Sequence, residues 1–237
     1  MAEKKSNKRI NFGIAAAFLL PLSLYLIVSY LSKGKVQIPN YFNIERIDTT
    51  KTATGIKLDT VYHKVADITL MNQVGETVSL NQKLKGKILV MDFIFTDCTE
   101  SCPMLTKKMS FLQKGFGKDP KKEATLVNDV HFISISVMPE RDSLLKLRAY
   151  ADRFGANPDH WWFMTGDKKS IYKYIREELG LSTGPGDGGA DDLIHTEKLV
   201  LLDTFRNIRG IYEGANDKEV KNCADDIVLL TLEKHHK

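Results

Sequence analysis

The run Lys87–Phe95 (KILVMDFIF) constrains this chain most. A nearly unbroken apolar stretch of that length is expected of a central strand covered on both faces, which calls for helices above and below it. The residues that follow supply one. Leu105, Met109, Leu112 and Phe116 recur at helical spacing, and Pro103 stands in the first turn, where its missing N–H is no loss. Val130–Met138 reads as a second buried strand, and Leu144, Leu147, Tyr150, Ala151 and Phe154 as the stripe of a second helix. Trp161–Thr165 is a short third strand, with a helix over Lys168–Leu179 stopped by Gly180.

Two hairpins bracket these units. Ala66–Leu70 and Thr77–Leu80 flank a turn at Gly75, and Lys198–Asp203 pairs with Ile208–Tyr212. Asp217 is placed to cap a last helix through Lys234, with Val220, Cys223, Ala224, Ile227 and Leu230 on one face. The order hairpin, βα, βα, βα, hairpin, α gives an α/β domain over residues 61–237, a mixed sheet with helices on both sides, which is thioredoxin-like with an N-terminal β-hairpin. Between Leu181 and Leu193 lies a Gly- and Asp-rich loop (LSTGPGDGGADDL), of a length that is often functional in a compact domain.

Ahead of the domain, residues 12–31 (FGIAAAFLLPLSLYLIVSYL) carry no charge. Twenty helical residues at about 1.5 Å each match the roughly 30 Å of a bilayer's hydrocarbon, so a single N-terminal transmembrane helix is expected. No small-x-small cleavage pattern follows, which favours a retained anchor over a cleaved signal. Residues 1–11 then form a cytoplasmic tail whose Lys4, Lys5, Lys8 and Arg9 stay inside, residues 32–60 a linker, and the domain faces the periplasm or exterior of an inner membrane. Charge supports the division. Residues 1–35 hold six basic residues and one acidic; removing them from the 34 basic and 30 acidic of the whole leaves 28 and 29. The domain therefore lacks a basic field for a polyanion, and nucleic acid is excluded as a partner.

Directly after the central strand stands Thr96-Asp97-Cys98-Thr99-Glu100-Ser101-Cys102-Pro103. Two thiols at a strand-to-helix junction meet the unpaired N–H groups and positive end of the helix, which favour thiolate, the form that attacks disulfides and ligates metals. The pair could close a disulfide or clamp one small ion. Soft thiolates select Cu(I), zinc or an iron–sulfur cluster, and an imidazole would complete a trigonal copper site or accept Cu(II). His195, just before the Lys198–Asp203 strand, is the candidate third ligand. Structural zinc normally takes four protein ligands, and no fourth Cys or His stands nearby.

An ordered set of motifs adds to this reading. Thr96-x-Cys98-x-x-x-Cys102-Pro103, Ser136-Val137-x-Pro139-Glu140-Arg141-Asp142-Ser143, Met164-Thr165-Gly166 and Ile194-His195-Thr196 together resemble the SCO/SenC family from about Tyr62 onward, and members of that family also carry an N-terminal anchor. The resemblance implies a copper chaperone that loads the dinuclear copper centre of cytochrome c oxidase, with Cys98, Cys102 and His195 holding Cu(I) or Cu(II). It also implies a thiol-disulfide reductase activity in which Cys98 and Cys102 are the exchanging pair. The implied partner is the oxidase's copper-bearing subunit, with other copper chaperones or thioredoxin-like reductants as further candidates. One departure is Met138, which stands where the family often has Asp before the Pro of the Pro-x-Arg-Asp segment.

Several residues have plainer readings. Met138, ending a strand, is expected to pack, and Cys223 falls on the apolar stripe of the last helix, where a thiol behaves as a small hydrophobe. Trp161 and Trp162 are expected to cover the sheet, Arg141 and Asp142 to pair or to cap a helix, and His235 and His236 to lie in a frayed tail.

Overall fold

The computed structural model describes residues 17, 19–27, 39–52, 55–116, 129–181 and 196–236. The chain divides into two compact units, Met1–Gln37 and Ile38–Lys237. In the first, residues 19–27 are helical, and Leu19, Leu20, Leu22, Leu24, Tyr25, Leu26 and Ile27 are all exposed. Among the described residues no helix is long and apolar enough to cross a membrane, and much of the span expected over residues 12–31 lies outside them.

In the second unit, strand β5 (Ile88–Ile94) is an interior strand of a seven-stranded sheet, buried along its whole length. Its neighbours are β6 (Val130–Ser136), which runs parallel to it, and β8 (Lys198–Leu202), which runs antiparallel. The sheet continues from β6 through β7 (Trp161–Thr165), β3 (Thr69–Asn72) and β4 (Thr77–Ser79), and from β8 to β9 (Ile208–Glu213). Period-two alternation splits β5 between two cores. Leu89, Met91 and Phe93 face one side, packed with Ile133, Ile135, Tyr172 and Ile175. Ile88, Val90 and Ile94 face the other, where Leu105 and Met109, Leu147 and Tyr150, and Cys223 and Ile227 bring in three helices.

Those three helices are α2 (Ser101–Phe116), α3 (Leu144–Arg153) and α5 (Asp217–His236). The opposite face is covered by α4 (Lys168–Lys173), which widens into a π-helical turn over Tyr174–Glu178. A short α1 (Leu80–Lys83) follows β4. The thioredoxin-like arrangement is thus present, including the hairpin turned by Gly75, whose φ of +90° suits glycine and whose N–H donates to the Asn72 carbonyl at 2.9 Å.

The stretch expected to be a linker contains regular structure. β1 (Ile44–Thr52) and β2 (Gly55–Tyr62) form a separate antiparallel hairpin. Ile44, Ile47 and Leu58 are exposed on it, so no core imposed an apolar alternation that the sequence could display. Its base is pinned to the domain: Tyr41 stacks on Tyr62 with centroids 4.5 Å apart, and the Phe42 N–H donates to the Ile208 carbonyl at 3.0 Å.

Other details also differ from the sequence expectations. The side-chain oxygen of Asn216, rather than Asp217, accepts from the first turn of α5 at Lys218 N (3.0 Å); Asp217 instead pairs with Lys108. The expected frayed tail is docked, because α5 runs through His236 and both Lys234 and His235 bind the buried Asp129, His235 Nε2 lying 2.7 Å from its Oδ2. Trp161, Trp162 and Cys223 are buried as expected, and Met138 packs against the core.

Candidate dithiol metal site

The loop between β5 and α2 turns on a bond from the Cys98 N–H to the Phe95 carbonyl at 3.2 Å. It brings the Cys98 sulfur over the start of α2, where it accepts the Cys102 backbone N–H at 3.3 Å. A thiol thereby satisfies one of the first-turn donors that every helix leaves open, the position a Ser or Asp side chain commonly fills. The Ser101 hydroxyl lies 3.8 Å from the same sulfur. None of the three cysteines is disulfide-bonded; Cys98 is half-buried, while Cys102 and Cys223 are buried.

Environment separates the two thiols. Partial burial pushes Cys98 up, but hydrogen bonds from the Cys102 amide, the Cys102 thiol, the Glu100 amide and the Ser101 hydroxyl outweigh it and leave Cys98 below the usual thiol value. Cys102 is pushed up to about 12, chiefly by burial and further by the neighbouring Cys98 and Asp92, against a lowering hydrogen bond from the Phe95 backbone. The more accessible Cys98 sulfur is therefore the one poised to ionise and the inner sulfur keeps its proton. Burial, with Asp226 adding to it, raises Cys223 as well, so it is an inert core thiol.

Two buried carboxylates bear on the site. Asp142, expected to cap a helix or pair with Arg141, is instead buried and turned toward Thr96. It accepts the Thr96 N–H at 3.1 Å, the Thr96 hydroxyl at 2.5 Å and the Ser136 hydroxyl at 2.5 Å. It thus ties the cysteine loop to the end of β6. The helix cap is Ser143, which accepts from Lys146 N. Asp142 was visible in the motif, but only the fold shows which backbone it holds.

Asp92 is the second. It lies in the middle of β5 on the α2 side, fully buried; one oxygen accepts from the Ser134 hydroxyl at 2.5 Å and Oδ2 has no hydrogen-bond partner among the described residues. Burial outweighs that hydrogen bond and raises Asp92 to about 7. A carboxylate inside an otherwise apolar strand was the available signal. Nearby, the Thr106 hydroxyl donates to the Cys102 carbonyl at 2.7 Å and lies 3.2 Å from the Tyr150 hydroxyl.

His195 and the Gly- and Asp-rich loop lie outside the described residues. Among the described residues no three Cys, His, Asp or Glu side chains converge as a metal set. What the described structure brings together is the thiol pair.

A thioredoxin-like sheet carrying an accessible thiol over a buried one at the first βα junction defines the class: a dithiol domain built for soft-metal or disulfide exchange. The chain belongs to the SCO1/SenC family, whose model matches residues 58–229. It is 31% identical over 169 residues to the SCO1 protein homolog of Bacillus subtilis (strain 168), covering 71% of this chain and 83% of that protein. It also superposes on BsSco, a Sco-family cytochrome c oxidase assembly protein with a disulfide switch, at TM-score 0.59 and 30% identity, covering 73% of this chain and 97% of the other. Copper-bound ScoI of Bradyrhizobium japonicum matches at TM-score 0.53 and 25% identity, covering 70% and 98%.

Proposed function

We propose that this protein is a membrane-anchored copper chaperone that binds one copper ion through Cys98, Cys102 and His195 and delivers it to the dinuclear copper centre of cytochrome c oxidase during assembly. The observation that carries the reading is the Cys102 N–H held 3.3 Å from the Cys98 sulfur, which places both thiols at one helix N-terminus. Two soft donors there suit copper, which is cargo in this scheme. The more accessible Cys98 meets incoming copper first; Cys102 gives up its proton as it binds; His195 closes the set. Delivery is ligand exchange in the reverse order, with the recipient's thiols displacing the accessible sulfur. Membership of the SCO1/SenC family and the copper carried by the Bradyrhizobium japonicum relative support the assignment.

The anchor is residues 12–31, crossing an inner membrane once and leaving the domain on the periplasmic or exterior side. The apolar side chains exposed along helical residues 19–27 support it. A retained span is tested by alkaline carbonate extraction of membranes, which should leave the protein in the pellet; release into the supernatant contradicts it.

The asymmetry of the thiols favours a second reading on the same residues, a thiol-disulfide oxidoreductase. Cys98 thiolate attacks a partner disulfide and expels one partner thiolate; Cys102, losing its proton, then attacks the mixed disulfide, releasing the second. The partner gains two electrons and the protein ends as the Cys98–Cys102 disulfide. The full chain purified in detergent separates the readings. The chaperone binds one equivalent of copper, with sulfur-to-copper charge-transfer absorption for Cu(II), and His195→Ala weakens the binding. Unchanged affinity in that variant removes His195 from the site, and turnover of a disulfide peptide without copper transfer favours the reductase.

A further inference from the structure

Asp92 carries a buried oxygen that the fold leaves unused. On β5 it alternates with Val90 and Ile94, so its side chain faces the core that α2, α3 and α5 build on one side of the sheet. That core also holds Cys102 and the Tyr150 ring. Asp92 is fully buried, and its Oδ1 accepts from the Ser134 hydroxyl, which in turn accepts from the Trp161 indole N–H at 2.9 Å. Oδ2 has no hydrogen-bond partner among the described residues. An unpartnered buried polar atom costs about 1–3 kcal/mol, so its presence at this depth calls for a use.

The groups around Asp92 are those of the thiol site. From α2 comes Cys102, held protonated by burial, with Cys98 and Asp92 adding to the effect. From α3 comes Tyr150, raised by burial and further by Cys102, Asp92 and Cys98, against its hydrogen bond with Thr106. β6 brings Ser134, β7 the Trp161 indole, and α5 the neutral thiol of Cys223. Cys102 and Tyr150 each sense the Asp92 charge, which sets the three groups in one buried neighbourhood. Burial of Asp92 is opposed by the Ser134 hydroxyl and a backbone hydrogen bond, and the carboxyl changes charge at about 7. Asp92 lies six residues ahead of Cys98. Thiol exchange leaves one proton to place, because the thiolate is the nucleophile and Cys102 is a thiol only 6% exposed to solvent.

We propose that Asp92 is the proton acceptor for Cys102: as Cys102 attacks the mixed disulfide on Cys98, its S–H proton passes to Asp92 Oδ2, the Cys98–Cys102 bond forms, and the partner's sulfur leaves as thiolate. The partner disulfide gains two electrons over the two steps, the dithiol loses them, and the proton returns to solvent when Asp92 ionises again. Oδ2 is unpartnered at rest, and the contact tightens as Cys102 closes on Cys98, as acid–base pairs commonly do on reaction. This rests on the thiol-disulfide reading of the site.

The test uses the reduced full chain in detergent micelles with glutathione disulfide as partner. Mass spectrometry of acid-quenched samples separates formation of the Cys98–glutathione adduct from its conversion to the Cys98–Cys102 disulfide. In the parent the second step should rise with pH through about 7 and then level, since Asp92 accepts a proton only once ionised. In Asp92→Asn the first step should be unchanged, while the second should be about tenfold or more slower at pH 8 and keep climbing with pH, hydroxide being the acceptor that remains. Ser134→Ala keeps the carboxyl but removes a hydrogen bond that lowers it, so the levelling point should move to higher pH; this variant carries the test if Asp92→Asn does not fold. A parental pH profile in either variant overturns the proposal. So does a faster second step in Asp92→Asn, which would make Asp92 a charge that merely keeps the proton on Cys102, and so does equal slowing of both steps, the mark of a distorted loop. A parent that stops at the adduct refutes the thiol-disulfide reading itself, and the proposal with it.

Discussion

Replacing Asp92 by Asn should change how stability depends on pH, and the size of the change follows from where Asp92 sits. Its carboxyl is fully buried with one oxygen unpartnered, and burial raises it from 3.8 to about 7. A carboxyl raised by folding favours the folded state fully below 3.8, and that advantage is lost as pH rises through 7. At about 1.4 kcal/mol per pH unit, the loss amounts to about 4 kcal/mol. Asn cannot ionise, so the stability of Asp92→Asn relative to the parent should climb by about 4 kcal/mol between pH 4 and pH 8. The buried amide adds an offset of about 1–3 kcal/mol against the variant, but that offset does not vary with pH. Urea unfolding of a fragment starting at Ile38, followed by far-UV circular dichroism at closely spaced pH values, gives both curves. A flat difference between pH 4 and pH 8 would refute the argument that Asp92 is held uncharged by burial.

Four further outcomes follow from other sites. His131, pushed down to about 3 chiefly by burial, resists protonation in the fold, so its contribution is present above 6.5 and is lost as pH falls toward 3; His131→Phe should retain up to about 5 kcal/mol more stability at the acid end, read by the same titration. Iodoacetamide at pH 7 should label Cys98 well before Cys102 or Cys223, as peptide mass spectrometry will show, because only Cys98 combines partial exposure with a lowered thiol. Asp142→Ala leaves the Thr96 amide and two hydroxyls without their acceptor and should cost about 2–4 kcal/mol in unfolding experiments while weakening copper binding. Gly214→Ala forces a methyl to within 2.8 Å of the Glu197 carbonyl as well as onto Leu105 and should lower stability by about 1–3 kcal/mol, checked by thermal melting.

The fold was legible where burial imposed a period. The unbroken apolar run of β5 and the stripes Leu105–Met109 and Leu147–Tyr150 gave strand and helices in order, because each must bury one or two faces against the others. The hairpin of β1 and β2 was not legible, since its described side chains are largely solvent-exposed and its Thr- and Asp-rich strands carry only the short alternation Ile56-Lys57-Leu58-Asp59. Asn216 and Asp217 are both good caps, and only backbone geometry chooses between them. At the site, the thiol pair announced itself by its place after a buried strand. The division of labour between Cys98 and Cys102 did not, because it arises from depth and from which N–H each sulfur meets. Asp142 and Asp92 act through long-range contacts, to Thr96 and to Ser134, that no local spacing encodes.

The central claim is that Cys98 and Cys102 jointly hold one copper ion. X-ray absorption at the copper edge of the full chain, loaded with Cu(I) against a competing chelator, measures it most directly. The expected result is one copper per chain with two sulfur scatterers and one nitrogen, the nitrogen disappearing in His195→Ala and all tight binding disappearing in the Cys98→Ser, Cys102→Ser double variant. Retention of a tightly bound copper by that double variant, or a parent spectrum without sulfur, would contradict the account.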